Sequence, residues 1–353
     1  MSNYKEYRWL IWGVIFIAFC IIIHALRSVL LPFVAGITLG YLFDPLASYF
    51  EKKGLNRTAA TLLVLGLAIL IFIPIIALFI VLINEQLATF IGALPHYVAS
   101  FTKKIEPLIN ELQTRFPDFN AEKVRASIRA AVADNFKMVG GLLHGLLNKS
   151  FALINLLSLL LITPIVTFYM LRDWDSFTAK VNSLLPRKSK KSIRTAAKEI
   201  DKTLSGFIRG QISVCILLGI YYSLGLYFVG LDLGLIVGFT AGLISFIPYV
   251  GSISGFVLSV ILALAQFDSF TPVLQVVLVF AVGQFIEGNF LTPKLVGDKV
   301  GLHPVWIMFA LLSGGVLLGF LGLLIAIPAA AIIGVLTRHA INNYKQSSLY
   351  LED

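Results

Sequence analysis

Two apolar stretches, Leu233–Gln266 and Pro304–Thr337, are each too long for a single membrane span, and each is interrupted by glycine or proline near its middle. A continuous helix of either length would run to about 50 Å, against a hydrocarbon core of about 30 Å. Each stretch therefore has to break. The first is predicted to do so at Ser245-Phe246-Ile247-Pro248-Tyr249-Val250-Gly251, the second from Ser313-Gly314-Gly315 through Gly319 and Gly322. Broken hydrophobic segments in matching positions of two repeats are the best sequence pointer to the binding site of a secondary transporter.

The rest of the chain argues for the bilayer as its solvent. Of 353 residues, 58% are hydrophobic and 13% charged, where soluble domains carry about a quarter charged residues. Further apolar segments of spanning length lie at Trp9–Leu26, Val29–Phe50, Ala59–Ile83, Phe151–Leu171, Phe207–Val229 and Val273–Leu291. The predicted fold class is all-α, a polytopic membrane protein with amphipathic surface helices. A net charge of +9 fits basic loops that hold membrane topology, so the lipid bilayer, and no nucleic acid, is the expected partner. Lys5 and Arg8 precede the first apolar segment and no small-residue cleavage site follows it, which predicts a retained anchor and a cytoplasmic N-terminus. Cys20 and Cys215 both fall inside predicted spans and imply neither a disulfide framework nor a metal site.

Following the spans from that start, the basic loop Glu51–Arg57 is cytoplasmic, and the Ala59 span, with Pro74 as a kink, exits into a polar segment. There Leu87, Ile91, Leu94, Val98, Phe101, Ile105, Leu108 and Leu112 have the spacing of an amphipathic helix. Asn120 is an N-cap candidate for a second such helix carrying Val124, Ile128, Val132 and Phe136. The Phe151 span returns at Arg172-Asp173-Trp174-Asp175, and a basic segment follows in which Ile193, Ala197, Ile200 and Leu204 keep helical spacing. The expected divisions are 1–83, N-terminal transmembrane helices; 84–149, an extracytoplasmic amphipathic segment; and 150–206, a span with a basic cytoplasmic helix. After them come an inverted-repeat transport domain at 207–340 and a cytoplasmic tail at 341–353. In the repeat, Phe207–Val229 and Val273–Leu291 each precede one broken stretch. Re-entrant hairpins would give the two halves opposite orientation and keep Lys294 and Lys299 cytoplasmic; full crossings would give eight spans and place those lysines outside.

Glu287 lies deep in an apolar segment, where an ionisable residue is costly and marks a functional site by default. Gln284, three residues earlier, shares its helix face, and Asn289 lies to one side. Together they could bind a proton, a small cation or a hydroxylated solute, or they could be a polar pair joining two helices. Arg209 and Gln211 open the Phe207 span; Arg209 either snorkels or pairs with Asp173, Asp44 or Glu287. Asp44, within the second span, demands a partner or water. Pro248 and Gly251 would free backbone groups at the first break, and Gly314, Gly315 and Gly319 at the second, unless these glycines serve close helix packing. No zinc, nucleophile-elbow, phosphate-loop or dinucleotide motif is present, so an enzyme is not expected.

The stretches Phe168-Tyr169-Met170-Leu171-Arg172-Asp173, Ile208-Arg209-Gly210-Gln211, Gly242 through Gly251 and Glu287-Gly288-Asn289-Phe290-Leu291-Thr292-Pro293-Lys294 resemble the signatures of the autoinducer-2 exporter family. Val300-Gly301-Leu302-His303-Pro304-Val305-Trp306 and the run from Gly319 to Pro328 extend the resemblance over nearly the whole chain. It implies a bacterial inner-membrane permease that exports the quorum-sensing signal autoinducer-2, with sodium(lithium)/proton antiport assigned to some relatives. It also implies a homo-oligomer and elevator-like movement of the hairpin domain. On this reading Glu287 carries a coupling proton or sodium ion, Gln284 and Asn289 supply polar contacts, the tips at Pro248 and Gly315 gate the site, and Arg209 and Asp173 lock helix orientation. A third reading, a membrane scaffold, predicts no solute flux.

Overall fold

The computed structural model of the chain describes residues 25–115, 150–187, 189–296 and 301–346, with a few further positions around them. Half of the expected span Trp9–Leu26 lies outside the described residues, as do Cys20 and most of the helix expected after Asn120. All regular structure among the described residues is helical. In chain order, α1 is Arg27–Lys52, α2 Arg57–Arg115, α3 Ser150–Leu184, α4 Lys190–Val229, α5 Gly234–Ile244, α6 Val250–Gln266 and α7 Thr271–Ile286. A π-helical segment, Glu287–Val296, continues α7, and α8 (Pro304–Leu318) and α9 (Phe320–Lys345) follow. Among the described residues, five helices are long and apolar enough to cross a membrane: Val29–Lys52, Arg57–Gln86, Lys190–Val229, Thr271–Val296 and Phe320–Lys345. The chain is a multi-pass membrane protein whose described residues are all-helical in their regular structure.

Three helices run past the points where hydropathy alone would end them. α2 has 59 residues, about 90 Å of helix, so the Ala59 span and the first amphipathic segment are one element. α3 carries its helix through Arg172-Asp173-Trp174-Asp175 to Leu184. α4 joins the basic segment to the Phe207 span in 40 continuous residues. Hydropathy records where lipid ends, whereas a helix continues wherever good helix formers such as Leu, Ala, Lys and Glu follow.

Both overlong stretches break. The first does so between α5 and α6, where Tyr249 is left-handed at φ 67°. The second turns at Gly319, at φ 63°. Gly314 and Gly315, expected in that break, lie within α8 instead. A Cβ at Gly322 would overlap the Gly314 carbonyl, so these small residues serve the contact of α8 with α9.

Packing divides the chain into two compact units. One comprises residues 1–66, 157–209 and 296–353. In it α1 and α3 run parallel, with the Thr163 hydroxyl donating to the Pro32 carbonyl at 3.3 Å and Thr167 to the Gly36 carbonyl at 3.1 Å. Gly36 and Gly40 leave room there for Val166 and Met170. The start of α4 meets the end of α9 through Glu199, which lies 3.1 Å from His339 and 3.4 Å from Arg338.

The other unit comprises residues 67–156 and 210–295. Here α5 lies antiparallel on α4 through Gly234, Gly238 and Gly242, which face the backbone at Leu226, Ser223 and Gly219. α6 folds back on α5, with Gly251 against Ser245 and Gly255 against Ala241. α7 packs antiparallel on α4, with Gly225 against Val279 and Gly283 seated on the Tyr222 ring. Tyr222 is fully buried and stacks on Phe280 with ring centroids 4.6 Å apart.

Candidate functional site

Glu287 stands where α7 widens into the π-helical segment. Pro293 contributes to that change, because it has no N–H for the regular α-helical bond and its ring crowds the preceding turn. π-Helical turns re-aim side chains and recur at functional sites. One turn before Glu287, the Gln284 amide nitrogen donates to Glu287 Oε2 at 2.8 Å and to the Tyr222 hydroxyl at 3.3 Å. Glu287 is half-buried and lies within electrostatic reach of Cys215 and Tyr222 on α4. A carboxylate, a carboxamide and a phenol thus converge at one α4–α7 contact. Asn289 does not join them; its Nδ2 donates to Phe285 O of its own helix at 2.9 Å.

Gln211 belongs to the same unit and is buried. Its Nε2 lies 2.8 Å from the Ser245 carbonyl and 3.5 Å from that of Phe246. The last carbonyls of a helix have no intrahelical partner, and this carboxamide supplies one at the end of α5. Pro248 follows, half-buried, and Gly251 is pressed so closely on Ser245 and Ala241 that a Cβ would overlap them.

The remaining candidates lie in the first unit. Asp44 Oδ1 accepts from Arg57 Nη2 at 2.8 Å, and Asp44 Oδ2 lies 3.6 Å from Arg209 Nη2. Arg209 Nε also donates to the Tyr41 carbonyl at 2.9 Å. Of the partners open to Arg209 in the sequence, the structure therefore brings it to Asp44. Asp173 is held by its neighbour Arg172 through two bonds of 2.7 Å. That guanidinium holds the Asp173 carboxyl below the usual carboxylate range, and the carboxylate raises Arg172 in turn.

Sequence reasoning missed two participants, Arg57 and Tyr222, and named Ser245 only as part of the first break. Arg57 was legible only as a loop charge, yet it bonds Leu171 O at 2.7 Å and Ser48 and Glu51 at 3.1 Å as well as Asp44. Ser245 contributes a backbone oxygen, which no side-chain pattern announces. Tyr222 carried a usable signal, since a phenol in an apolar span needs a hydrogen-bond partner.

Comparison with known proteins matches residues 13–342 to the family described as AI-2E family transporter. "Putative transport protein YrrI" of Bacillus subtilis (strain 168) is 28% identical over 321 residues, covering 89% of this chain and 87% of that protein. "Putative permease PerM" of Escherichia coli (strain K12) is 27% identical over 317 residues, covering 88% and 87%. "Putative transport protein MT0215" of Mycobacterium tuberculosis (strain CDC 1551 / Oshkosh) is 24% identical over 327 residues, covering 92% and 86%. A multi-pass helical chain matched almost end to end by this family belongs to it: the protein is a member of the AI-2E family of membrane transporters.

Proposed function

We propose that this transporter exports a small polar solute across the bacterial inner membrane, with autoinducer-2 as the first solute to test and a proton or sodium ion as coupling ion. The Gln284–Glu287 pair carries this reading. A carboxylate within the apolar Thr271–Val296 helix is costly in lipid and for that reason marks a functional site by default. Gln284 occupies Oε2 at 2.8 Å, which leaves Oε1 to take a proton, a cation or a solute hydroxyl. Exchanging one of these for another at a single carboxylate is the elementary step of coupled transport.

Helix lengths support re-entrant geometry for α5, α6 and α8, while α9, at 26 residues, is long enough to cross. α5, α6 and α8 have 11, 17 and 15 residues, about 16, 25 and 22 Å, each short of a hydrocarbon core of about 30 Å. On this reading α4 with α5–α6 and α7 with α8–α9 form an inverted repeat with tips at Pro248 and Gly319, and the Pro248 tip gates the site. The second tip moves from Gly315 to Gly319 because the turn lies there. Both termini are cytoplasmic, and the working unit is a homo-oligomer.

The test is flux into proteoliposomes under an imposed proton gradient, with autoinducer-2, sodium and lithium assayed separately. Gradient-dependent movement of autoinducer-2 supports the proposal. Cation-for-proton exchange without solute flux would replace it with antiport, and no flux of any kind would leave the scaffold reading.

A further inference from the structure

Tyr222 reaches from α4 to α7 through a slot shaped to an aromatic ring. Phe280 stacks on it with centroids 4.6 Å apart, and a Cβ at Gly283 would overlap it, so a side chain there would drive the phenol out. Tyr222 is fully buried, whereas Gln284, at the mouth of the slot, is exposed. The hydroxyl therefore acts on the exposed side only through Gln284, whose Nε2 lies 3.3 Å from it and 2.8 Å from Glu287 Oε2.

An ionised Glu287 admits only the carboxamide nitrogen beside it, because the carboxamide oxygen would oppose the carboxylate. The Tyr222 hydroxyl, which accepts as readily as it donates, takes the second N–H and holds the carboxamide in that place. Gln284 Oε1 and Glu287 Oε1 are left over, and neither accepts a hydrogen bond from a described residue. The titratable groups facing Glu287 from α4 are Cys215 and Tyr222, with the Tyr221 ring edge-on to the latter. α6, which also packs on α7, has none, and Lys294 of the π-helical segment lies over the Phe290 ring. What this cluster offers outward is acceptor oxygen.

We infer that Tyr222 is a positioning residue: by anchoring Gln284 against Glu287 it keeps two acceptor oxygens facing outward together, and the site takes cargo that donates, a monovalent cation or a neutral hydroxylated solute, and no anion. The inference rests on the transport reading above and narrows its cargo class. Without the phenol the carboxamide loses one of its two anchors and swings towards the exposed side. Glu287 then loses the N–H that favours its charged form.

The experiment labels the full-length protein in nanodiscs with an apolar carbodiimide, which adds to protonated carboxyls, and reads Glu287 by mass spectrometry, with autoinducer-2 flux measured on the same variants in proteoliposomes. Tyr222→Phe keeps the ring in its slot and removes only the hydroxyl. Glu287 should then be labelled about threefold to tenfold faster at pH 7, the ratio one hydrogen bond accounts for. The difference should close in acid, where every carboxyl is protonated. Gln284→Ala should do the same, the double variant should go no further, and Tyr221→Phe should label as wild type. Unchanged labelling in Tyr222→Phe, a difference that persists in acid, or an effect added to that of Gln284→Ala overturns the positioning role whatever the flux shows. In wild type, sodium or autoinducer-2 should protect Glu287 from the label and acetate should not; protection by acetate, or by none of the three, overturns the cargo class. The expected labelling in a protein that moves no solute leaves the positioning role standing and removes the transport reading.

Discussion

Arg57 at the start of α2 donates to Asp44 of α1 across 2.8 Å, and the same guanidinium reaches the Leu171 carbonyl of α3 at 2.7 Å. One side chain thus ties three helices of one unit together. Asp44 is 45% exposed, so the ion pair counts for less than a fully buried one. Arg57→Ala should cost about 2–3 kcal/mol and Arg57→Lys about 1–2 kcal/mol, because a single ammonium cannot reproduce the fork. Thermal unfolding in detergent should rank wild type above Lys and Lys above Ala; equal midpoints for all three would refute this role.

Two glycines should respond oppositely to alanine. At Gly238 a Cβ would overlap the Ser223 backbone, whereas at Gly66 it would meet nothing within 4 Å. Gly238→Ala should force α5 off α4 at a cost of about 1–3 kcal/mol. Gly66→Ala should stabilise α2 by about 0.5–1 kcal/mol through helix propensity. Melting both variants against wild type checks the pair, and a Gly238→Ala protein as stable as the parent would contradict the packing described.

Acid should weaken the Arg172–Asp173 bond in a definite direction. Because Arg172 lowers the Asp173 carboxyl, the stabilisation is present above the ordinary carboxylate range, about pH 4, and is lost as pH falls through the lowered value. The difference in melting temperature between wild type and Asp173→Asn should therefore be small at pH 7 and shrink towards zero as pH falls through the lowered carboxyl value. A difference independent of pH would show that the charge plays no part.

Much of this architecture was legible in the sequence because lipid imposes strict lengths. Pro248 and Gly251 marked a real break, and Gly319 a real turn, since no continuous helix fits those stretches. Helix ends at the membrane surface were not legible: at Asn84 and at Phe207 the hydropathy changes without an end to the helix, and α2 and α4 run through. Within the candidate site, the Gln284–Glu287 contact follows from helical spacing. The bond from Gln211 to Ser245 joins positions 34 residues apart and depends on an α5 break whose geometry only the fold supplies. The same holds for Arg57 and Leu171, 114 residues apart.

The most direct test of the transport assignment is coupled flux by Glu287→Gln in proteoliposomes, beside wild type at matched protein density. The substitution keeps size and a hydrogen bond to Gln284, so folding and melting temperature should hold while gradient-driven solute movement is lost. Undiminished coupled flux in Glu287→Gln would contradict the account, because the carboxylate would then carry neither proton nor cation.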